Sequence, residues 1–141
     1  MKRLMILTAL ALLSTAPTAM AKHGADDGAG DDNGGDRAAR QEVRAKGTCG
    51  SGATSKLKLK NDDGRIEAEF EVDRNKVGET WRVTLSRDGK VLVRTRKTTK
   101  GRSGSFSLER RIADLPGADT VTARGVGPTG LTCTATVTLP A

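Results

Sequence analysis

The sequence of this 141-residue chain predicts an all-β fold: an antiparallel seven-strand sandwich closed by one disulfide, behind a cleaved signal helix and a disordered leader. Three observations carry that expectation. From Gly47 onward apolar and polar residues alternate with period two, in runs separated by turn residues at intervals of about ten. No amphipathic helix of useful length is visible after residue 21. Cys49 and Cys133 are the only cysteines, and an exported pair normally oxidises.

Export is read from the first 21 residues. Lys2 and Arg3 supply the positive start, Leu4 to Leu13 an apolar run, and Ala19-Met20-Ala21 a small-residue cleavage site, so residues 1–21 are expected to be removed. As a helix the apolar run rises about 15 Å, half the thickness of a hydrocarbon core, too short to remain as a membrane span. Lys22 rather than Cys follows the cleavage site, which argues against a lipid-anchored terminus. The mature chain is expected to be secreted, extracellular or periplasmic, with no transmembrane segment. Residues 22–46 are rich in Gly, Ala and Asp and bury too little surface to offset ordering entropy. Their acidic run, Asp26 to Asp36, fits no EF-hand register, because Gly35 stands where a ligand is needed after Asp31 and Asn33. A solvating spacer is the expectation for this leader.

The β-sandwich domain is placed at 47–141, with strands at Ser55 to Lys60, Arg65 to Asp73, Thr80 to Ser86, Lys90 to Arg96, Ser103 to Arg111, Thr120 to Val126 and Leu131 to Leu139. In the last, Leu131, Cys133, Ala135, Val137 and Leu139 share one face and Thr132, Thr134, Thr136 and Thr138 the other, so Cys133 points inward. Aromatic residues are few, one Trp, two Phe and no Tyr, which leaves Phe70, Trp81 and Phe106 to anchor a thin core of Val, Leu, Ile and Ala. Closing the loop between the two cysteines adds up to about 4.6 kcal/mol in the chain-entropy model. A domain of this size needs that support.

Turn chemistry registers two hairpins. Asp63-Gly64 as a two-residue type I′ turn pairs Asp62 with Arg65, which sets Lys60 against Glu67, Lys58 against Glu69 and Lys56 against Glu71. This lysine stripe is neutralised by its own partner strand. Arg87-Asp88-Gly89 suits a three-residue turn pairing Ser86 with Lys90, so that Trp81, Val83 and Leu85 face inward against Thr95, Val93 and Val91. The outer face then carries Arg82, Arg94 and Arg96, and no acidic residue opposes them. Lys97, Lys100 and Arg102 continue the same sign into the next loop.

The chain holds 24 Lys and Arg against 17 Asp and Glu, a formal net charge of +7, and Arg82, Arg94, Arg96, Lys97, Lys100 and Arg102 form the candidate polyanion-binding set. An anionic cell-envelope polymer or an acidic protein fits such a surface. Sequence-specific nucleic-acid recognition does not, because the outer face offers no aromatic platform on which bases stack. Enzymatic chemistry is disfavoured by inventory. The single His, His23, lies in the leader, both cysteines are committed to a disulfide, and no nucleophile elbow, phosphate loop or zinc-protease motif occurs. No metal site or cofactor is expected, since two thiols and one distant imidazole make no tetrahedral set.

Leu115-Pro116-Gly117, then Val121-Thr122-Ala123, then Gly130 to Val137 resemble the closing strands of bacterial immunoglobulin-like and fibronectin-III-like sandwiches. The mature chain also resembles small exported proteins of high-GC bacteria. The resemblance implies a fold and a compartment, not an activity. The expected protein is thus a monomeric, non-enzymatic, binding or envelope-associated domain. The alternative is a secreted inhibitor or small-ligand carrier using loops such as Thr98 to Gly104 or Gly125 to Gly130.

Overall fold

A computed structural model describes residues 41–50 and 52–141. The expected signal, residues 1–21, and most of the expected leader lie outside the described residues. Nine strands follow one another: β1 (Glu42–Lys46), β2 (Thr48–Cys49), β3 (Thr54–Asp62), β4 (Arg65–Asp73), β5 (Thr80–Arg87), β6 (Lys90–Thr98), β7 (Ser105–Ala113), β8 (Asp119–Val126) and β9 (Thr132–Leu139). Among the described residues there is no helix, and hence none long and apolar enough to cross a membrane. The strands form two sheets, β1-β3-β4-β7 and β2-β9-β8-β5-β6, with every pairing antiparallel.

The sheets face each other across one core. Leu57, Leu59, Ile66, Phe70, Val72, Phe106 and Leu108 come from the four-stranded sheet, and Trp81, Val83, Leu85, Val121, Cys133 and Leu139 from the other, all in a single buried cluster. Period-two alternation puts these residues inside and their sequence neighbours outside. Trp81 is the largest buried side chain, in tilted contact with Phe106 at 5.8 Å between ring centroids. Gly47 carries the chain from β1 in one sheet to β2 in the other, and Cys49 in β2 stands directly opposite Cys133 in β9, where the disulfide forms.

Two expectations are corrected here. The strand count is nine rather than seven, and the boundary between leader and domain falls earlier than residue 47. Residues 42–46, assigned to a disordered leader, form β1 and pair along β3 from Glu42 opposite Lys60 to Lys46 opposite Lys56. Val43 packs against the core from the edge of the sheet. Only two small apolar residues alternate there, too weak a signal alone, but an existing strand edge supplies the partners that ordering requires.

The first hairpin has the expected register at every position, with Asp62 opposite Arg65 and both Asp63 (φ 50°) and Gly64 (φ 70°) in the left-handed region a type I′ turn demands. The second differs. Asp88 (φ 49°) and Gly89 (φ 80°) form a two-residue turn with Arg87 opposite Lys90, not a three-residue turn. A bulge between Leu85 and Ser86 then shifts the pairing, so Leu85 meets Val93, Val83 meets Thr95 and Trp81 meets Lys97. Trp81, Val83 and Leu85 still face inward.

Candidate anion-binding face

The outer surfaces of the two sheets use charge in opposite ways. On the four-stranded sheet, lysines of β3 meet glutamates of β4. Lys56 Nζ lies 2.9 Å from Glu71 Oε2, Lys58 pairs with Glu69, and at the rim Arg44 pairs with Glu42 and Arg111 Nη2 lies 3.8 Å from Asp62 Oδ2. The Glu69 carboxylate that hydrogen-bonds Lys58 holds its ammonium above the usual lysine value, against a smaller opposing effect of partial burial. Glu42 is held below the usual carboxylate range, chiefly by its hydrogen bond from Arg44. This surface is close to self-neutral.

On the five-stranded sheet four arginines gather with no carboxylate paired to them among the described residues. Thr84 in β5 has Arg94 of β6 directly opposite on one side and Arg124 of β8 on the other, and in the next row Arg82 stands opposite Arg96. All four arginines are exposed. They border an open depression of about 540 Å³ floored by Thr84, with Val126 at its side. Among the described residues no carboxylate pairs with any of the four. The acids nearest in sequence are engaged elsewhere. Glu79 Oε2 lies 3.3 Å from Arg74 Nε, Asp88 Oδ1 accepts from the Thr120 amide at 3.2 Å and Asp119 Oδ1 lies 3.4 Å from Arg87 Nη1, while Glu109 stands on β7 of the other sheet.

Around the arginines the face is paved with hydroxyls. Thr120 and Thr138 Oγ1 atoms lie 2.9 Å apart, as do those of Thr122 and Thr136, while Thr48 and Thr134 extend the row that holds Arg124, Thr84 and Arg94 across all five strands. Guanidinium forks and hydroxyl donors in one plane suit oxyanions, which accept several hydrogen bonds at once.

Of the six residues read as candidates, Arg82, Arg94 and Arg96 come together here. Lys97 does not share their face, because it stands opposite the buried Trp81 and therefore turns toward the open side of the sandwich between β6 and β7. With Lys100, Arg96 and Thr98 it lines a second depression of about 760 Å³, whose far wall is Glu71, Ser105, Phe106 and Ser107. Arg102 is exposed in the turn between β6 and β7. Arg124 was not a candidate. Its outward position follows from the alternation of β8, but its place beside Thr84 depends on the pairing of β5 with β8, which joins residues far apart in the chain.

The loop from Thr98 to Gly104 is tied down. Thr99, fully buried, donates from Oγ1 to Lys76 O at 2.5 Å and accepts from the Glu79 amide at 3.0 Å, while the Arg74 and Asn75 amides donate to Gly104 O and Ser103 O. A Cβ on Gly104 would sit 2.8 Å from Lys76 O, and its φ of 58° is one that side chains disfavour. Among the described residues no group of three or more His, Cys, Asp or Glu is arranged to hold a metal. Neither a family model, nor a curated protein, nor a solved structure matches this chain.

Proposed function

We propose that this is an exported, monomeric, non-enzymatic domain that binds anionic polymers through the outer face of its five-stranded sheet. The observation that carries the reading is the arginine quartet Arg82, Arg94, Arg96 and Arg124, exposed around Thr84 with no carboxylate partner among the described residues. The other sheet supplies the internal contrast: there the same chain matches lysines to glutamates. Unmatched like charges in adjacent register weaken a sheet, and a surface that keeps them gains when an anion arrives. Export is supported by the signal-like first 21 residues and by the disulfide.

An immunoglobulin-like fold is part of the same proposal. The order β9-β8-β5-β6 matches the G, F, C and C′ strands of that fold, whereas the consecutive β3–β4 hairpin occupies the place of its non-consecutive B and E neighbours. The alternative, an inhibitor or carrier working through Thr98 to Gly104 or Gly125 to Gly130, draws no support from loops so tied down, the first hydrogen-bonded to residues 74–79 and the second closed by the Gly127 amide on Leu131 O and the Gly130 amide on Gly127 O.

The test is retention on immobilised heparin and on immobilised polyphosphate under a salt gradient. The native domain should be retained at low salt and released steeply as salt rises. A variant with Arg94, Arg96 and Arg124 all changed to Ser should elute early. Equal retention of that variant at an unchanged melting temperature, or retention of the native domain only by an acidic protein, would refute the proposal.

A further inference from the structure

Resting on that reading, we infer that the ligand is a linear polyanion lying across the strands and over the β6 edge, and not a compact anion held in one depression. The two depressions are contiguous. Arg96 lines both, and β6 is the edge strand of its sheet, so the floor passes from the outer face to the open side of the sandwich without an intervening strand. Along that path lie six exposed or half-exposed cations: Arg124, Arg94, Arg82, Arg96, Lys97 and Lys100.

The geometry follows from register. Arg124 and Arg94 flank Thr84 on its two neighbouring strands, which sets their backbones about 10 Å apart. Arg96 lies two residues beyond Arg94, about 7 Å along β6, and Lys100 four residues beyond that, so the whole lane is about 25 Å long. Alternation explains how one strand serves both sides: Arg94 and Arg96 point outward and Lys97 toward the open side. A β-strand normally keeps one face buried against the next layer. The open side of the sandwich at β6 and β7 lets both faces of this edge strand reach solvent.

Two features fit a chain better than a small ion. Among the described residues the lane has a single acidic neighbour, Glu71, whose carboxylate lies 2.9 Å from Lys56 Nζ on its own sheet. Its other end runs onto hydroxyls alone, Thr134 and Thr48, which can accommodate neutral parts of a repeating unit. A single phosphate placed at Arg82 and Arg96 would leave Arg124 and Lys100, at the two ends, unused. Only an extended ligand engages both.

Length dependence tests this. Linear polyphosphates from triphosphate upward, and oligogalacturonates as the carboxylate counterpart, are titrated against the signal-free chain by calorimetry at several salt concentrations. Affinity should rise at least tenfold between triphosphate and a chain long enough to span the lane. The log–log salt slope for the long chain should approach about −4 for six contacts. Arg124→Ser and Lys100→Ser should each reduce that slope by about 0.7 and weaken long-chain binding severalfold, and Lys100→Ser, which lies outside the quartet, should leave triphosphate binding within twofold. If triphosphate binds as tightly as the long chain, or if Lys100→Ser leaves long-chain binding unchanged, the lane is wrong and anion binding by the quartet stands. Failure of the native chain to bind any of these probes overturns both. Melting curves of each variant separate loss of contact from loss of fold.

Discussion

Arg82 and Arg96 stand directly opposite each other on β5 and β6, exposed, with no carboxylate paired to either among the described residues. Like charges in that position cost a sheet about 0.2–1 kcal/mol. Replacing one with an uncharged side chain of similar length should therefore stabilise the fold while weakening the proposed site.

Arg96→Gln is the direct test. Glutamine retains much of the aliphatic stem and removes the charge, and relief of repulsion by a few tenths of a kcal/mol corresponds to a rise in Tm of about 2–4 °C for a domain of this size. The gain should shrink as salt screens the pair. A stabilising loss of function is common where a site is kept under strain. Differential scanning fluorimetry at low and high salt reads the effect, and a lower Tm at both would show that Arg96 supports the fold.

Asp119 carries the opposite expectation. Its carboxylate is 3% exposed and lies 3.4 Å from Arg87 Nη1, which also donates to Ala113 O at 2.6 Å, so the pair joins the end of β5 to the start of β8 and the end of β7. Removing one member of a buried pair leaves the other charge desolvated without its partner, at a cost of about 3–5 kcal/mol. Asp119→Asn should lower the urea midpoint by a corresponding amount. A shift under 1 kcal/mol would mean that water reaches Arg87 once the carboxylate is gone.

The disulfide closes a loop of sequence separation 84 and fastens the two-residue strand β2 to β9. β2 makes only two register pairs, too few to hold a strand without a covalent tie. Changing both Cys49 and Cys133 to Ser should cost about 2–5 kcal/mol. Amide exchange should show where: protection lost first at residues 48–50, with the β3–β4 hairpin still protected under mild conditions. Uniform loss across both sheets would instead make the bridge a determinant of the whole fold.

Local chemistry made parts of this fold legible and left others out of reach. Asp63-Gly64 specifies its turn and therefore all nine pairs of β3 with β4. Asp88-Gly89 specifies a turn equally well, but the bulge beside Leu85 shifts the pairing of β5 with β6 by a further residue, and no turn rule encodes it. The two-residue turn shifts the register by one and the bulge by one more, so Arg94 and Arg96 keep the outward face they share with Arg82. Lys97 was grouped with them by charge alone, although the same alternation assigns it to the other face. Arg124 and β1 depend on which strand becomes whose neighbour, a choice made by burial of the assembled core.

Lys58 gives a pH test of the self-neutral sheet. Its ammonium is held above the usual lysine value of 10.5, first by the hydrogen bond to Glu69 and then by the charges of Glu69, Glu42 and Glu67. A group whose folded value is raised contributes its stability fully below the unfolded value and loses it as pH climbs through the folded value. Lys58's contribution to the pairing of β3 with β4 should therefore be complete in neutral solution and fade as pH rises above 10.5. Glu69→Gln removes the largest cause, so the Lys58 Nζ resonance should titrate near the value of a free lysine in that variant and later than it in the native domain. The accompanying loss of stability at neutral pH should stay under about 1 kcal/mol, as for other solvent-accessible pairs. Coincident titration curves in the two proteins would show that the Lys58–Glu69 contact is too loosely held to bias the proton.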